Sequence, residues 1–290
     1  MSARSLARFL PRGAKARLKG WRKGLRLAYI RRWYGFGADA LSAALRRLGL
    51  AQGDTVMVHS SFDQLAGFDG KPSDVIRVLQ ETVGPTGTLL MPSLPFTGTA
   101  VEYASGNPVF DVRRTPSKVG LLTELFRRSP GVARSVHPTH PVLAWGARLP
   151  EFLANHHLAR TPCGEGTPYA RLVQYDGRIL FLGAGIESMT FFHYAEEVLE
   201  PDMPMSPFTK DEFTLTSRDE TGGLLTSKTR LFDPTLSKRR DLNRLVRPLQ
   251  QHGAILQTRV GQLDIVLVRA RDVIAACHRL AAHGVYCYGP

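Results

Sequence analysis

The chain of 290 residues has only three cysteines, Cys163, Cys277 and Cys287. An odd count at wide spacing fits neither a disulfide framework nor a zinc site, and a reducing cytoplasm is the setting such usage suits. No apolar run approaches the ~20 residues that a membrane-crossing helix needs. The longest, RILFLGAG at 178–185 and LDIVLVRA at 263–270, are short and read as buried strands. The N-terminus has no uninterrupted apolar stretch and no small-residue cleavage site, so a secretory signal is not expected. GAG at 183–185 lacks the further spaced glycine of a dinucleotide-binding turn, and there is no Walker sequence, GxSxG elbow or zincin motif.

Acid is missing from one region altogether. Residues 1–33 hold eight arginines and three lysines, and the first acid is Asp39. This segment therefore carries +11 of the formal +13, which leaves +2 on the rest of the chain. Leu18, Trp21, Leu25 and Ala28 repeat at helical spacing among the bases. A basic amphipathic helix of this kind suits an anionic surface, either a membrane leaflet or an acidic partner. The plainer reading is a solvated tail, or a helix packed on the body by its apolar stripe. No nucleic-acid-binding motif accompanies the arm, so nucleic acid is not expected as a partner.

What is present after residue 35 is one body. At 43% hydrophobic residues the chain can bury a large core. We divide it into an arm, 1–35, and a single domain, 36–290, with no linker or internal repeat. GDTVMVHSS (53–61) and GPTGTLLMPS (84–93) read as turn, buried strand and polar exit, separated by a helix at 72–83 with Ser73 as its expected cap. This strand–helix–strand alternation indicates an α/β layer architecture. A long irregular stretch is expected at 94–117, helices at 118–128, 149–157, 167–177, 190–200, 239–253 and 271–284, and hairpin material at 201–236.

Three clusters could carry chemistry. His193 follows the exit of strand 178–182 in TFFHYAEE, and Glu196 and Glu197 lie three and four residues on, on the same helical face. Either carboxylate can orient the imidazole and raise its pKa, and a neutral histidine is a suitable base for an attacking amine. A partly buried histidine paired with a carboxylate purely for stability is the other reading. HPTHP (137–141) is a rigid loop. Its His137 and His140 suit a ligand-facing role better than metal, since no acid or cysteine completes a ligand set. The polar exits VHSS (58–61), MPS (91–93) and TPSKVG (115–120) offer hydroxyls and backbone N–H groups for phosphates. Ser117 also reads as a helix N-cap. Cys163, in TPCGEG, is either a reactive thiol or an unreactive one.

Taken in order, GDTVMVHSSF (53–62), VGPTGTLLMPS (83–93), FDVRRTPSKVGLLTELFRRSPGVARSVHPTHPVLAWG (110–146), CGEGTPYARLVQYDGRILFLGAG (163–185), TFFHYAEE (190–197) and, more weakly, VGQLDIVLVRARDVI (260–274) resemble the aminoglycoside 3-N-acetyltransferase family. The resemblance covers about residues 38–275. It implies a three-layer α/β/α fold with a mixed central sheet, distinct from the GNAT fold. It implies acetyl-CoA or another acyl-CoA as co-substrate, no metal, and an amine-bearing acceptor such as an amino sugar or aminoglycoside. Carried over by motif, His193 is the general base and Glu196 its partner acid. His59, Ser60, Ser61, Ser117, Val119 and Gly120 would contact the coenzyme arm and phosphates, with Arg134 as a phosphate partner and His140 lining the same site. The chain departs from the family pattern at Pro141, where serine is usual, at Gln262, Leu263 and Asp264, and in its basic arm.

The expected activity is direct acyl transfer, with oxyanion donors sought among backbone N–H groups near Ser60 or Ser61. Glu165, Glu187, Glu196, Glu197 and Asp202 could make an acidic pocket for a polycation. Two other readings remain open. One is a biosynthetic N-acyltransferase for a nucleotide-linked amino sugar in surface-polysaccharide synthesis, peripheral to the inner membrane face. The other is a coenzyme A-binding scaffold without turnover.

Overall fold

A computed structural model describes residues 12–289. The first eleven residues of the arm lie outside it. A long helix, α1 (Arg12–Tyr34), leads into α2 (Ala38–Arg47), β1 (Thr55–Ser60), α3 (Pro72–Val83), β2 (Thr88–Pro92), α4 (Ala100–Ser105), β3 (Val109–Asp111), α5 (Leu121–Arg127), β4 (Ala133–Arg134) and β5 (Val142–Gly146). The second half runs α6 (Leu149–Leu153), α7 (Pro168–Gln174), β6 (Arg178–Leu182), α8 (Phe192–Leu199), β7 (Phe208–Arg218), β8 (Leu224–Phe232), α9 (Pro234–Arg239), α10 (Val246–Gln251), β9 (Ile255–Val260), β10 (Leu263–Arg269) and α11 (Ala270–Ala281).

Among the described residues the central sheet has the order β4-β5-β2-β1-β6-β10-β9. β2, β1 and β6 are parallel, and antiparallel pairs flank them on both sides. The parallel strands are apolar on both faces, as strands covered by helices on both sides must be. Side chains alternate between faces. Val56, Val58, Leu89 and Leu180 pack against α2, α3 and α5 through Leu41, Leu45, Leu79 and Phe126. Met57, Leu90, Ile179 and Phe181 pack against α6, α7, α8, α10 and α11 through Phe152, Tyr169, Phe192, Leu249 and Val273. Those two cores make the expected three-layer α/β/α architecture. Each large apolar side chain they bury is worth roughly 1.5–3 kcal/mol.

A second sheet, β3-β7-β8, stands beside the first. Its long hairpin turns at Asp219, whose carboxylate accepts from the backbone N–H of Thr221 and Gly223. β8 ends at Phe232, which enters the main core.

The structure corrects four local expectations. The 94–117 stretch contains α4 and β3, because Thr99 and Glu102 cap each other reciprocally at 3.2 and 3.1 Å and nucleate a turn. The helix at 72–83 is capped by Asp74, which accepts from the Lys71 N–H at 2.8 Å, and not by Ser73. Ser117 caps nothing: α5 starts four residues later with Gly120 at its N-cap. The helix expected over 239–253 breaks at Arg240. That residue is extended (φ −62°, ψ 130°) and pairs with Tyr288, and Asp241 starts a fresh 3-10 turn by accepting from Asn243 N–H.

Candidate active site

β6 leaves the sheet through Gly183, whose φ of +68° a side chain would strain. A Cβ there would also stand 2.6 Å from Gln64 Cβ. The chain then turns into α8, and His193 sits on its first turn. Its Nδ1 lies 2.7 Å from Glu196 Oε2, one turn along the same helix. A carboxylate only accepts, so Nδ1 carries the proton and Nε2 keeps its lone pair. Phe232 stacks on the ring at 3.8 Å between centroids, and His140 meets it edge-on at 5.6 Å. The ring is thus clamped on a face and on the Nδ1 side. Nε2 has no hydrogen-bond partner among the described residues, and the side chain is 14% exposed.

Glu196 is 1% exposed and holds more than His193. Arg240 donates to both its oxygens from Nη2, at 3.0 and 3.1 Å, and from Nε at 3.2 Å. The Tyr288 hydroxyl donates to Oε1. Burial works against the carboxylate's charge, but Arg240, His193 and Tyr288 outweigh it and leave its pKa below the ordinary value. The sign at His193 is opposite to the sequence expectation. Burial lowers its pKa, the Arg240 charge lowers it further, and the Glu196 hydrogen bond and charge do not compensate. Arg240 Nη2 comes within 3.5 Å of Nδ1. With the Nδ1 proton directed at Glu196, this is charge proximity and not a bond. The result is an oriented imidazole held neutral.

Arg240 and Tyr288 were missed by the sequence reading. They reach Glu196 from 44 and 92 residues away, and no motif marks either. Phe232 was missed for the same reason.

Behind His140 the histidines continue inward. His137 accepts from the His140 N–H at 3.1 Å and stacks on His156 at 4.5 Å. His156 Nε2–H donates to the Pro162 carbonyl at 2.9 Å, and Ser135 donates to its Nδ1 at 2.8 Å. His59 stacks on Phe181 at 5.5 Å. Burial drives His137 and His140 well below the usual range and takes His59 and His156 to about 3. Among the described residues no group of three or more His, Cys, Asp or Glu is placed to hold a metal ion.

VHSS and TPSKVG come together: a Cβ on Gly120 would lie 3.9 Å from the Ser60 carbonyl oxygen. Val119 beside it is exposed. The Ser117 N–H donates to Glu124 at 2.9 Å, while Ser117 Oγ and His59 Nε2 are buried without partners. The Ser61 N–H is spent on the Leu182 carbonyl at 3.1 Å, which removes it as an oxyanion donor. Arg134 is buried over the Phe110 ring, and its two Nη atoms donate to the Thr115 and Ser93 carbonyls. It braces this wall of the site, and its outer side borders a cleft of about 550 Å³ shared with Arg113, Arg127 and Arg128. Cys163 is fully buried with its pKa pushed up by burial, so it reads as the unreactive thiol. Leu263 is core, and Asp264 pairs with Arg259 at 2.5 Å on an exposed hairpin.

Comparison with known proteins follows the same outline. A family model described as aminoglycoside 3-N-acetyltransferase matches residues 57–281. The chain is 34% identical over 192 residues to an aminoglycoside N(3)-acetyltransferase III from Salmonella sp; this covers 62% of the chain and 66%, just under two thirds, of that relative. It is 33% identical over 179 residues to the prophage-derived aminoglycoside N(3')-acetyltransferase-like protein YokD of Bacillus subtilis, covering 54% of the chain and 64% of that protein. Among solved structures, AAC-IIIb in a binary complex with CoASH superposes with a TM-score of 0.73 at 27% identity, over 88% of this chain and 99% of that one. AAC-VIa with bound sisomicin superposes with a TM-score of 0.71 at 26% identity, over 86% and 99%. With the family match running from within β1 to the end of α11, the chain belongs to the aminoglycoside 3-N-acetyltransferase family.

Proposed function

We propose that the protein is an acyl-CoA-dependent N-acyltransferase that acetylates an amine of an aminoglycoside or amino sugar by direct transfer, with His193 as base. The observation that carries this reading is the His193 imidazole, proton fixed on Nδ1 by Glu196 and lone pair free on Nε2. An ammonium cannot attack a thioester. Nε2 takes a proton from the acceptor nitrogen as its lone pair forms the new bond to the acyl carbon. The carbon–sulfur bond then breaks, and that proton leaves with the thiol, giving amide and free coenzyme A. Glu196 holds the tautomer and stabilises the imidazolium that forms in passing. Burial, aided by the Arg240 charge, keeps the resting imidazole neutral.

The residues suit the co-substrate that the AAC-IIIb structure contains. The orphaned Ser117 Oγ and His59 Nε2 stand along the VHSS and TPSKVG edges, where a polar pantetheine arm would supply partners. The arginine-lined cleft beside them offers charge for phosphates.

One observation bears on the acceptor. Arg240 cancels the Glu196 charge, and burial raises the pKa of Glu197, to which Thr161 donates at 2.5 Å. Glu165, Glu187 and Asp202 remain as exposed acids. This favours an acceptor with few positive charges, such as a single amino sugar, as a second reading beside the polycationic drugs.

Release of coenzyme A against a panel of aminoglycosides, amino sugars and nucleotide-linked amino sugars tests both. His193→Ala should lower kcat/KM by about two to four orders of magnitude on any true acceptor while acetyl-CoA affinity is retained. Near-wild-type turnover in that variant, or a burst of acylated enzyme, would sink the direct mechanism.

A further inference from the structure

α1 meets the body near its C-terminal end. Ile30 is buried, and the Tyr34 carbonyl oxygen packs so close to Gly67 that a Cβ there would stand 2.7 Å away. That contact lies at the carboxyl end of β1, the end of the sheet that also carries Ser60, Gly183 and His193. Farther along the helix four large side chains are exposed. Trp21, Leu25, Tyr29 and Trp33 recur every four residues and are 64%, 52%, 55% and 67% exposed. At about 100° per residue they form one stripe, roughly 150° around the helix from Leu27 and Ile30. The stripe therefore faces away from the body. It shares Trp21 and Leu25 with the stripe expected from the sequence and extends it through Tyr29 and Trp33. Exposed Arg26 and Arg32 border it, and the Arg32 guanidinium lies 5.4 Å from the Trp33 ring centroid.

Four large apolar side chains in a line on water-exposed surface call for an occupant. The charge decides which. Residues 1–33 carry eleven bases and no acid, so a second copy of this face would be repelled. Tryptophan and tyrosine interleaved with arginine favour the boundary between headgroups and acyl chains, where rings bury and guanidinium groups meet phosphates. No described helix is long and apolar enough to cross a membrane, so the helix lies in the surface.

We propose that α1 is an interfacial helix that docks the protein on an anionic bilayer through Trp21, Leu25, Tyr29 and Trp33, anchored at the sheet end that bears the His193 site. The full chain should co-sediment with vesicles of phosphatidylcholine and phosphatidylserine, and weakly or not at all with phosphatidylcholine alone. Raising the salt should release it. Tryptophan emission should shift to the blue on binding, since two of the three tryptophans enter the interface. Trp21→Ser/Trp33→Ser should weaken binding by about tenfold or more. The two rings touch little of the body, so its thermal melt should match the wild type. Equal binding to both vesicle types, unchanged binding by the double variant, or a concentration-dependent dimer without vesicle binding would each overturn the proposal.

Discussion

Among the described residues the buried imidazoles fall into two groups, interior and rim, that differ in their partners. In the interior, His59, His137, His140 and His156 have no ionised side chain as a hydrogen-bond partner. His137 and His156 are held by backbone groups and hydroxyls, and burial keeps all four neutral. At the rim, His193 faces a carboxylate that is itself gripped by a guanidinium and a phenol. Both centres contain neutral histidine, so protonation state does not separate the interior rings from the proposed base. The difference lies in what happens when a proton arrives. The interior rings have no counter-charge to receive it. His193 has Glu196 beside it and, in the proposed role, would take the proton through its free Nε2.

The largest test of that contrast removes the counter-charge's own partner. Arg240→Met strands Glu196 in a buried site, and breaking such a pair by deleting one member typically costs about 3–5 kcal/mol. The pH profile carries the finer information. Burial, and after it the Arg240 charge, depress the His193 pKa, so with His193 as the proposed base the ascending limb in kcat/KM should lie below pH 6.5 in the wild type. Without Arg240 the carboxylate is no longer cancelled, and the limb should move upward. An unmoved limb in a folded variant would mean that Arg240 is a brace and does not tune the base.

Acid tests the interior centre. A histidine whose folded pKa lies below its unfolded value has no effect on stability above 6.5. Below 6.5 the unfolded chain binds a proton that the folded chain refuses, so stability falls with falling pH until the folded pKa is reached. For His59 and His156 that window runs from 6.5 to about 3. Each should cost about 1.4 kcal/mol per pH unit within it, or about 2 kcal/mol at pH 5. The melting temperature should drop steeply from pH 7 to pH 5, and His156→Gln should flatten the drop. A level melting temperature over that range would remove the distinction between the two centres.

The contrast also marks what a sequence can carry. The strand exits, α8 and the pair His193–Glu196 are local: their periodicity and three-residue spacing are written in consecutive residues. The sign of the His193 pKa shift is not local, because it is set first by burial among other elements and then by the charge of Arg240 arriving from another one. Reading Glu196 alone gave the wrong direction. Arg240 was hidden twice over, since its neighbours 239–253 look like one helix and the break at Arg240 is made by a tertiary pairing with Tyr288. Helix α4 was legible and overlooked. Its Thr99 and Glu102 form the reciprocal cap that three-residue spacing announces. Arg134 was read by its chemistry as a phosphate partner, but burial turned its donors onto two backbone carbonyls.

The smallest expected effect refines the rim centre. Tyr288→Phe keeps the ring, its packing and the backbone pairing with Arg240, and removes only the hydroxyl that donates to Glu196. The carboxylate keeps Arg240 and His193, so it stays charged. Losing one hydrogen bond to a charged group should cost about 1.5 kcal/mol of stability. Its negative charge becomes slightly more available to His193, so the limb in kcat/KM should rise by less than in Arg240→Met. Turnover above the limb should fall by no more than about threefold, since the Nδ1 proton is still held. Thermal melts and pH profiles of the two variants side by side decide the matter. If Tyr288→Phe loses as much as Arg240→Met, the phenol and not the guanidinium sets the state of Glu196, and the ranking of its partners must be reversed.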